Sequence, residues 1–265
     1  MTAEAAGSVE IMGIINVTPD SFFDGSRVAS TERAVERARS MIDEGATIID
    51  VGGESTRPGA SPVPTDVELA RVSAVIAELA GHVKISIDTR HAPVARAAVA
   101  AGAVIINDVS ASLDDIAAQT GAGWVAMHMR GTPQSMQNSP TYDDVVGQVL
   151  DYVVSKADRG RSIGVENIWI DPGIGFGKNT RHNHELMAHL DQFVASGYPV
   201  LVGVSRKRFI GRSHADVDGV DEPLAARDRL EGSLAMATWA MRQGAAIVRV
   251  HDVAETVACA KVLFS

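Results

Sequence analysis

The chain is short of cysteine, of positive charge and of long apolar runs. Cys259 is the one cysteine in 265 residues, so no intrachain disulfide can form, and a reducing cytoplasm is the simple expectation. The longest apolar runs, such as 200–204, are strand-sized. A membrane span needs about 18–20 residues, so no membrane partner is expected. Residues 1–8 carry neither a basic region nor an apolar stretch of the secretory type. Lys plus Arg is 24 against 33 for Asp plus Glu, a formal charge of −9, which argues against a general nucleic-acid binder. An anionic ligand is still allowed, because a local basic cleft can coexist with a negative total. What is present is the make-up of a globular chain with a substantial core, 46% hydrophobic and 22% charged.

Short β-branched runs recur at 11–17, 47–53, 83–89, 103–110, 123–128, 168–173, 199–205 and 246–251. They are nearly continuous in apolar character, as in strands buried on both faces of a parallel sheet. Between them lie segments of helical period. Ala34, Val35, Ala38, Met41 and Ile42 form one stripe, and Leu69, Val72, Val75, Ile76 and Leu79 another. Thr65 with Glu68 has capping-box spacing, Asp252 with Glu255 is similar, and residues 224–241 read as one long helix. An internal echo supports a repeating unit: Gly45–Asp50, Gly102–Asn107 and Gly244–Arg249 each run from a glycine through Ala into a strand. Strand then helix about eight times predicts an α/β fold, a (β/α)8 TIM barrel, in a single domain over 1–265. A doubly wound open sheet is the alternative.

In a barrel the chemistry sits where the strands end. Those ends supply Asn16, Glu54, Asp88, Asn107, Asp108, His128, Asp171, Ser205, Arg206, Lys207, Arg249 and His251. Helix capping accounts for some of these, but not for the cations, which disfavour a helix N-terminus. Two loops, 16–26 and 52–59, are rich in Gly, Pro, Ser and Asp, and the first carries Phe22 and Phe23, which suit a lid over a ligand. The segment 171–178 resembles a phosphate cradle without matching a P-loop, because Pro172 stands where that spacing needs glycine. His182, His184 and His189 lack metal-ligand spacing and read as a solvated helix face. Arg249 and His251 are two apart on a strand, so both can reach one anion.

Asn16-Val17-Thr18-Pro19-Asp20-Ser21-Phe22, Gly52-Gly53-Glu54-Ser55-Thr56-Arg57-Pro58-Gly59, Ile87-Asp88-Thr89, Asn107-Asp108-Val109-Ser110, Asp171-Pro172-Gly173-Ile174-Gly175-Phe176, Ser205-Arg206-Lys207 and Arg249-Val250-His251-Asp252 together resemble the dihydropteroate synthase family of folate biosynthesis. The likeness spans essentially the whole chain. It implies a transferase that condenses 6-hydroxymethyl-7,8-dihydropterin pyrophosphate with p-aminobenzoate, giving 7,8-dihydropteroate and pyrophosphate. The resemblance assigns the pterin to Asp88, Asn107, Asp171 and Lys207, and the pyrophosphate to Asn16, Arg57, Arg249 and His251. It assigns p-aminobenzoate to Phe22, Thr56, Pro58, Phe176 and Arg208, and catalysis to Asp24, Asp88, Lys207 and Arg249. It also implies Mg2+ held through Asn16, a homodimer, and a sulfonamide target. Arg208 stands where many members have Ser, and Ser26 where many have a second glycine. The rivals are a pterin-dependent methyltransferase domain, which has no pyrophosphate to bind, and a non-catalytic pterin-binding paralogue.

Overall fold

All eight β-branched runs become strands in the computed structural model, which describes residues 9–18, 27–55, 60–132, 134–136 and 140–265. The strands are β1 (Glu10–Asn16), β2 (Ile48–Gly52), β3 (Lys84–Asp88), β4 (Ile105–Asp108), β5 (Gly123–Met127), β6 (Ile168–Asp171), β7 (Leu201–Val202) and β8 (Ile247–Val250). Consecutive strands are parallel neighbours, and β1 pairs with both β2 and β8. A parallel bridge between Ile170 and Val200 joins β6 to the β7 side and closes the ring. The fold is therefore a (β/α)8 TIM barrel, and the open sheet is excluded.

The helices are α1 (Arg27–Asp43), α2 (Thr65–Leu79), α3 (Ala92–Ala100), α4 (Asp114–Thr120), α5 (Val145–Ser162), α6 (Thr180–Ala188), α7 (Leu190–Ala195), α8 (Arg208–Asp218), α9 (Leu230–Arg242) and α10 (Val253–Leu263). The expected stripes of α1 and α2 face the barrel, with Ala34, Ala38, Met41, Val72, Val75, Ile76 and Leu79 buried. Neither expected capping box forms. Helix α2 starts after Pro64 without a side-chain cap, and Glu68 instead accepts from the Thr89 hydroxyl at 2.6 Å and pairs with His91 Nδ1 at 2.6 Å. Asp252 spends its carboxylate on Arg206, with Nε of the arginine at 3.0 Å. The helix expected over 224–241 begins only at Leu230, after a short 3-10 turn at Ala226–Asp228. Arg229 ties the preceding segment down, donating to the Leu224 carbonyl and to the Arg206 carbonyl, each at 2.8 Å.

Alternate residues of a strand face the same side, so each strand gives the barrel interior every second residue. The lower interior layer is apolar: Met12, Ile48, Ile105, Val125, Leu201 and Ile247 pack together, with Trp169 against them. Gly123 makes room for that indole, since a Cβ there would lie 2.6 Å from the ring. The larger apolar cluster fills the space between strands and helices, as with Ile49 and Ile87 of the strands and Val72 and Ile76 of α2. Two residues beyond the lower layer, the same faces carry Asp50, Asn107, Asp171 and Arg249, and Asp88 stands two beyond Ser86 on β3.

Candidate active site

The register that aligns the strands places these polar residues side by side at the C-terminal mouth. Asp88 is paired with Asn107 across β3 and β4, and Asp50 of β2 adjoins Ser86 of β3. Arg249 reaches from β8 to both acids. Its Nε donates to Asp50 Oδ2 at 2.6 Å and a terminal nitrogen to Asp88 Oδ2 at 2.7 Å. The Asn107 amide nitrogen donates to the same Asp50 oxygen at 3.1 Å. That bond fixes the amide orientation of Asn107 and turns its oxygen away from Asp50. The other oxygens of Asp50 and Asp88 are buried and accept nothing from the described residues. Buried acceptors without a protein donor suit a ligand rich in N–H groups. Burial raises the Asp88 carboxyl to about 7; Arg249 pulls it back and the neighbouring Asp50 adds to the rise. The geometry thus brings together Asp88, Asn107 and Arg249 of the expected residues.

Asp50 is the member that a reading of strand ends misses, because it lies inside an apolar strand. The echo marks it: Asp50, Asn107 and Arg249 occupy the same position after their respective glycines. Equivalent positions in repeated units meet in one ring around the mouth, and Asp50 bonds to both of the others.

On the other side of the mouth stand Asp171 and Lys207. Asp171 is buried, and its Oδ1 accepts from the Gly173 amide at 2.7 Å. Burial raises this carboxyl, while Lys207 and the Gly173 hydrogen bond lower it in part. Lys207 begins α8, yet its ammonium leaves the helix end and donates to the Ile174 carbonyl, 4.6 Å from the centre of the Phe176 ring. Burial lowers Lys207 to about 8 against the opposing pull of Asp171. Gly203 lies between the two cationic side chains, where a Cβ would be in ordinary contact with Lys207 Nζ and Arg249 Cβ, each at 3.8 Å. His251 Nδ1 is 3.0 Å from the Ser205 hydroxyl at the β7 and β8 ends. Arg206 holds that turn with a left-handed φ of 58°, its amide donating to Ser233 Oγ at 2.9 Å.

Other expected strand-end residues serve the scaffold. Glu54 takes Arg90 Nε at 2.9 Å and the Val63 amide at 3.0 Å. Asp108 accepts the Ser112 and Leu113 amides, each at 2.7 Å. His128 turns to the buried Lys178, whose Nζ is 2.9 Å from Nδ1. Arg208 is exposed at the first turn of α8, outside the bonded group. The solvated histidine face is corrected: His182 closes a capping box with Asn179, and His184 sits 2.6 Å from Ser213 Oγ, both half-buried, while His189 is exposed. Phe22, Asp24, Thr56, Arg57 and Pro58 lie outside the described residues.

One grouping of acidic and histidine side chains among the described residues has the spacing of a metal site, Glu54, Glu68 and His91. Its carboxylates are already engaged by Arg90, Val63, Thr89 and His91. Asn16, by contrast, offers an amide oxygen at the mouth beside Gly52, where a Cβ would lie 3.8 Å away. One neutral oxygen fits a magnesium ion whose other ligands are phosphate oxygens and water.

A family model described as pterin binding enzyme matches residues 12–251. The chain is 46% identical to the dihydropteroate synthase of Escherichia coli K12 over 261 residues, covering 96% of this chain and 90% of that protein. It resembles a Xanthomonas albilineans dihydropteroate synthase solved with 4-aminobenzoic acid, at TM-score 0.87 and 42% identity, over 97% of this chain and 92% of the other. A Yersinia pestis dihydropteroate synthase in complex with a sulfonamide drug matches at TM-score 0.88 and 40% identity, over 99% and 97% of the two chains.

Proposed function

Because the chain belongs to the dihydropteroate synthase family of pterin-binding enzymes, we propose a division of its mouth into three adjoining subsites. The reaction itself is that of the family: 6-hydroxymethyl-7,8-dihydropterin pyrophosphate and p-aminobenzoate give 7,8-dihydropteroate and pyrophosphate. The methyltransferase and non-catalytic readings are not favoured, since the relatives over nearly the whole chain are synthases.

The pterin presents a guanidine-like edge of N–H donors, and a buried carboxylate is its natural complement. Asp171 takes that edge, and Asp88 and Asn107 meet the neighbouring ring atoms. Lys207 covers the ring from the β7 side. The pyrophosphate lies toward β1 and β8, on Arg249, His251, Asn16 and Arg57. Asn16 would hold Mg2+, which would supply charge neutralisation to the leaving group. The observation that supports this reading most is Arg249 held between Asp50 and Asp88, because it fixes a cation beside the acceptors meant for the pterin.

Arg249 and His251 stabilise charge as it builds on the departing phosphate oxygen. The methylene C–O bond breaks, its electron pair leaves with pyrophosphate, and the pterin carries the positive charge. Asp88 faces that charge, and the family resemblance assigns Asp24 the same role. The amine of p-aminobenzoate, framed by Phe22, Thr56, Pro58, Phe176 and Arg208, then donates its lone pair to the methylene and loses a proton. An aniline nitrogen is unprotonated near neutral pH, so no protein base is needed for attack.

The barrel acts as one domain, in the cytoplasm, and as a homodimer. No helix among the described residues is long and apolar enough to cross a membrane. Leu230, Leu234 and Met236 of α9 are half-buried and Trp239 is 46% exposed, an apolar face that a second copy would cover. The p-aminobenzoate subsite also makes the enzyme a sulfonamide target, as in the Yersinia pestis relative. The test of the reaction is pyrophosphate release on mixing the protein with Mg2+, the pterin pyrophosphate and p-aminobenzoate. Release that requires both organic substrates is expected, and none from folded protein would overturn the reading.

A further inference from the structure

The segment from Asp171 to Lys178 looks like an anion cradle in sequence, yet its lysine faces away from any anion. Lys178 is 2% exposed. Its Nζ lies 2.9 Å from His128 Nδ1, 2.9 Å from the Phe176 carbonyl, 3.0 Å from the Gly173 carbonyl and 3.3 Å from the His128 carbonyl. Burial pulls this amine well below its ordinary value, with Asp171 opposing, and whether it carries two protons or three, these four acceptors leave none for an outside anion. A phosphate has neither access nor a donor left to bind.

The acceptors explain the placement. Gly173, Gly175 and Gly177 have φ of 66°, 85° and 63°, so this stretch has little stiffness of its own. A Cβ at Gly173 would lie 1.9 Å from the His128 carbonyl oxygen, so the chain passes here in direct contact with the end of β5. Asn183 Oδ1 holds the Gly175 amide at 2.6 Å, and the Tyr142 hydroxyl donates to the Gly177 carbonyl at 2.8 Å. Lys178 supplies a buried tie to Gly173 and Phe176, the two residues that flank Ile174 and Gly175. From the mouth side, Lys207 donates to the Ile174 carbonyl. Two lysines thus grip one loop from opposite sides, one buried and one at the substrate cavity. Burial and the nearby Lys178 lower the His128 imidazole to about 3, which leaves Nδ1 free to accept at working pH.

We infer that Lys178 is a positioning residue for p-aminobenzoate: by tying the carbonyls of Gly173 and Phe176 to the end of β5, it sets the Phe176 ring against Lys207. The inference rests on the reading above that places Phe176 in the p-aminobenzoate subsite. It predicts a selective effect. Among the described residues, the Arg249 guanidinium bonds to Asp50 and Asp88 on β2 and β3, whereas Lys178 bonds to His128, Gly173 and Phe176, so pyrophosphate binding should be little affected by its loss.

The test uses the full-length enzyme with Lys178→Met, and Phe176→Ala as reference. KM for each substrate and kcat are measured separately, with pyrophosphate affinity in the presence of Mg2+ by calorimetry. Lys178→Met should raise KM for p-aminobenzoate about tenfold while pyrophosphate affinity changes less than about twofold. Phe176→Ala should show the same pattern. A fall in kcat with KM for p-aminobenzoate unchanged would mean Lys178 only supports the fold, and overturns the inference. A normal KM in Lys178→Met beside a raised KM in Phe176→Ala also overturns it, while leaving the subsite reading intact. A normal KM in both removes the subsite reading and the inference together. Where Lys178→Met does not fold, His128→Leu replaces it, since it removes one side-chain acceptor of the Lys178 amine. A rise of about two- to fivefold in the same KM is then expected, and no rise overturns the inference.

Discussion

The lower and upper layers of the barrel interior are built by the same strands, two residues apart, and they obey opposite rules. Ile48, Ile105 and Ile247 give way to Asp50, Asn107 and Arg249. The lower layer removes apolar surface from water and asks nothing further. The upper layer brings Asp50, Asp88 and Asp171 to a mouth where Arg249 and Lys207 are the cations bonded within the described group. Burying such charges costs free energy that pairing only partly returns. Asp88, raised to about 7, registers that cost directly. The barrel therefore gains stability at its base and gives some of it up at its mouth.

Substitutions made in each layer should separate the two. Leu201→Ala in the lower layer should cost roughly 2–5 kcal/mol of stability by chemical denaturation. Its kcat/KM per folded molecule should stay near wild type, and a hundredfold loss would erase the distinction. Asp171→Asn in the upper layer should keep the fold but weaken pterin pyrophosphate binding by about 2–5 kcal/mol, the range for removing one partner of a buried charged contact. Calorimetric titration reads this directly, and wild-type affinity would take the pterin off β6. Arg249→Ala should raise the barrier by about 2–4 kcal/mol, by analogy with losing an oxyanion donor, and should also lose pyrophosphate binding. Wild-type turnover in a mutant with normal circular dichroism would place the phosphate site elsewhere.

The smallest effect sharpens the comparison most. The Asp88 carboxyl is raised in the folded protein, so folding favours its protonated form. The stability it contributes is complete below the ordinary acid range, about 3.9, and is lost as pH rises through about 7. Asp88→Asn is neutral throughout. It should therefore be more stable than wild type at pH 8, by about 1–3 kcal/mol, with the gain fading as pH falls below 7. Melting curves across that range test it, and a mutant less stable at pH 8 would show that Arg249 repays the burial of Asp88 in full.

The sequence makes the lower layer and the strand order legible because burial on both faces leaves unbroken β-branched runs. It makes Asp88, Asn107, Asp171 and Arg249 legible because they end those runs. Asp50 escapes that reading, since nothing local tells a mid-strand carboxylate that its partner lies 199 residues away on β8. The capping boxes fail for a related reason. Glu68 and Asp252 have the right local spacing, but tertiary partners, His91 with Thr89 and Arg206, compete successfully for them. Residues 224–229 have helical composition, yet they stand outside α9, where the Arg229 side chain makes bonds that no periodicity encodes.

The ring of strands is not equally strong all the way round. Strand β7 is two residues long, and one bridge, Ile170 with Val200, joins it to β6, whereas β1 and β2 share five aligned pairs. Asp171 lies directly above that seam, and Lys207 follows β7 on its other side. Local opening is easiest where fewest ladder bonds must break together. The Ile170 amide, which donates to the Pro199 carbonyl, should then exchange with deuterium sooner than amides of the β1–β2 ladder. Breathing at this joint would carry Asp171 and Lys207 apart, so a ligand spanning both acts as a staple across the barrel wall and slows that exchange.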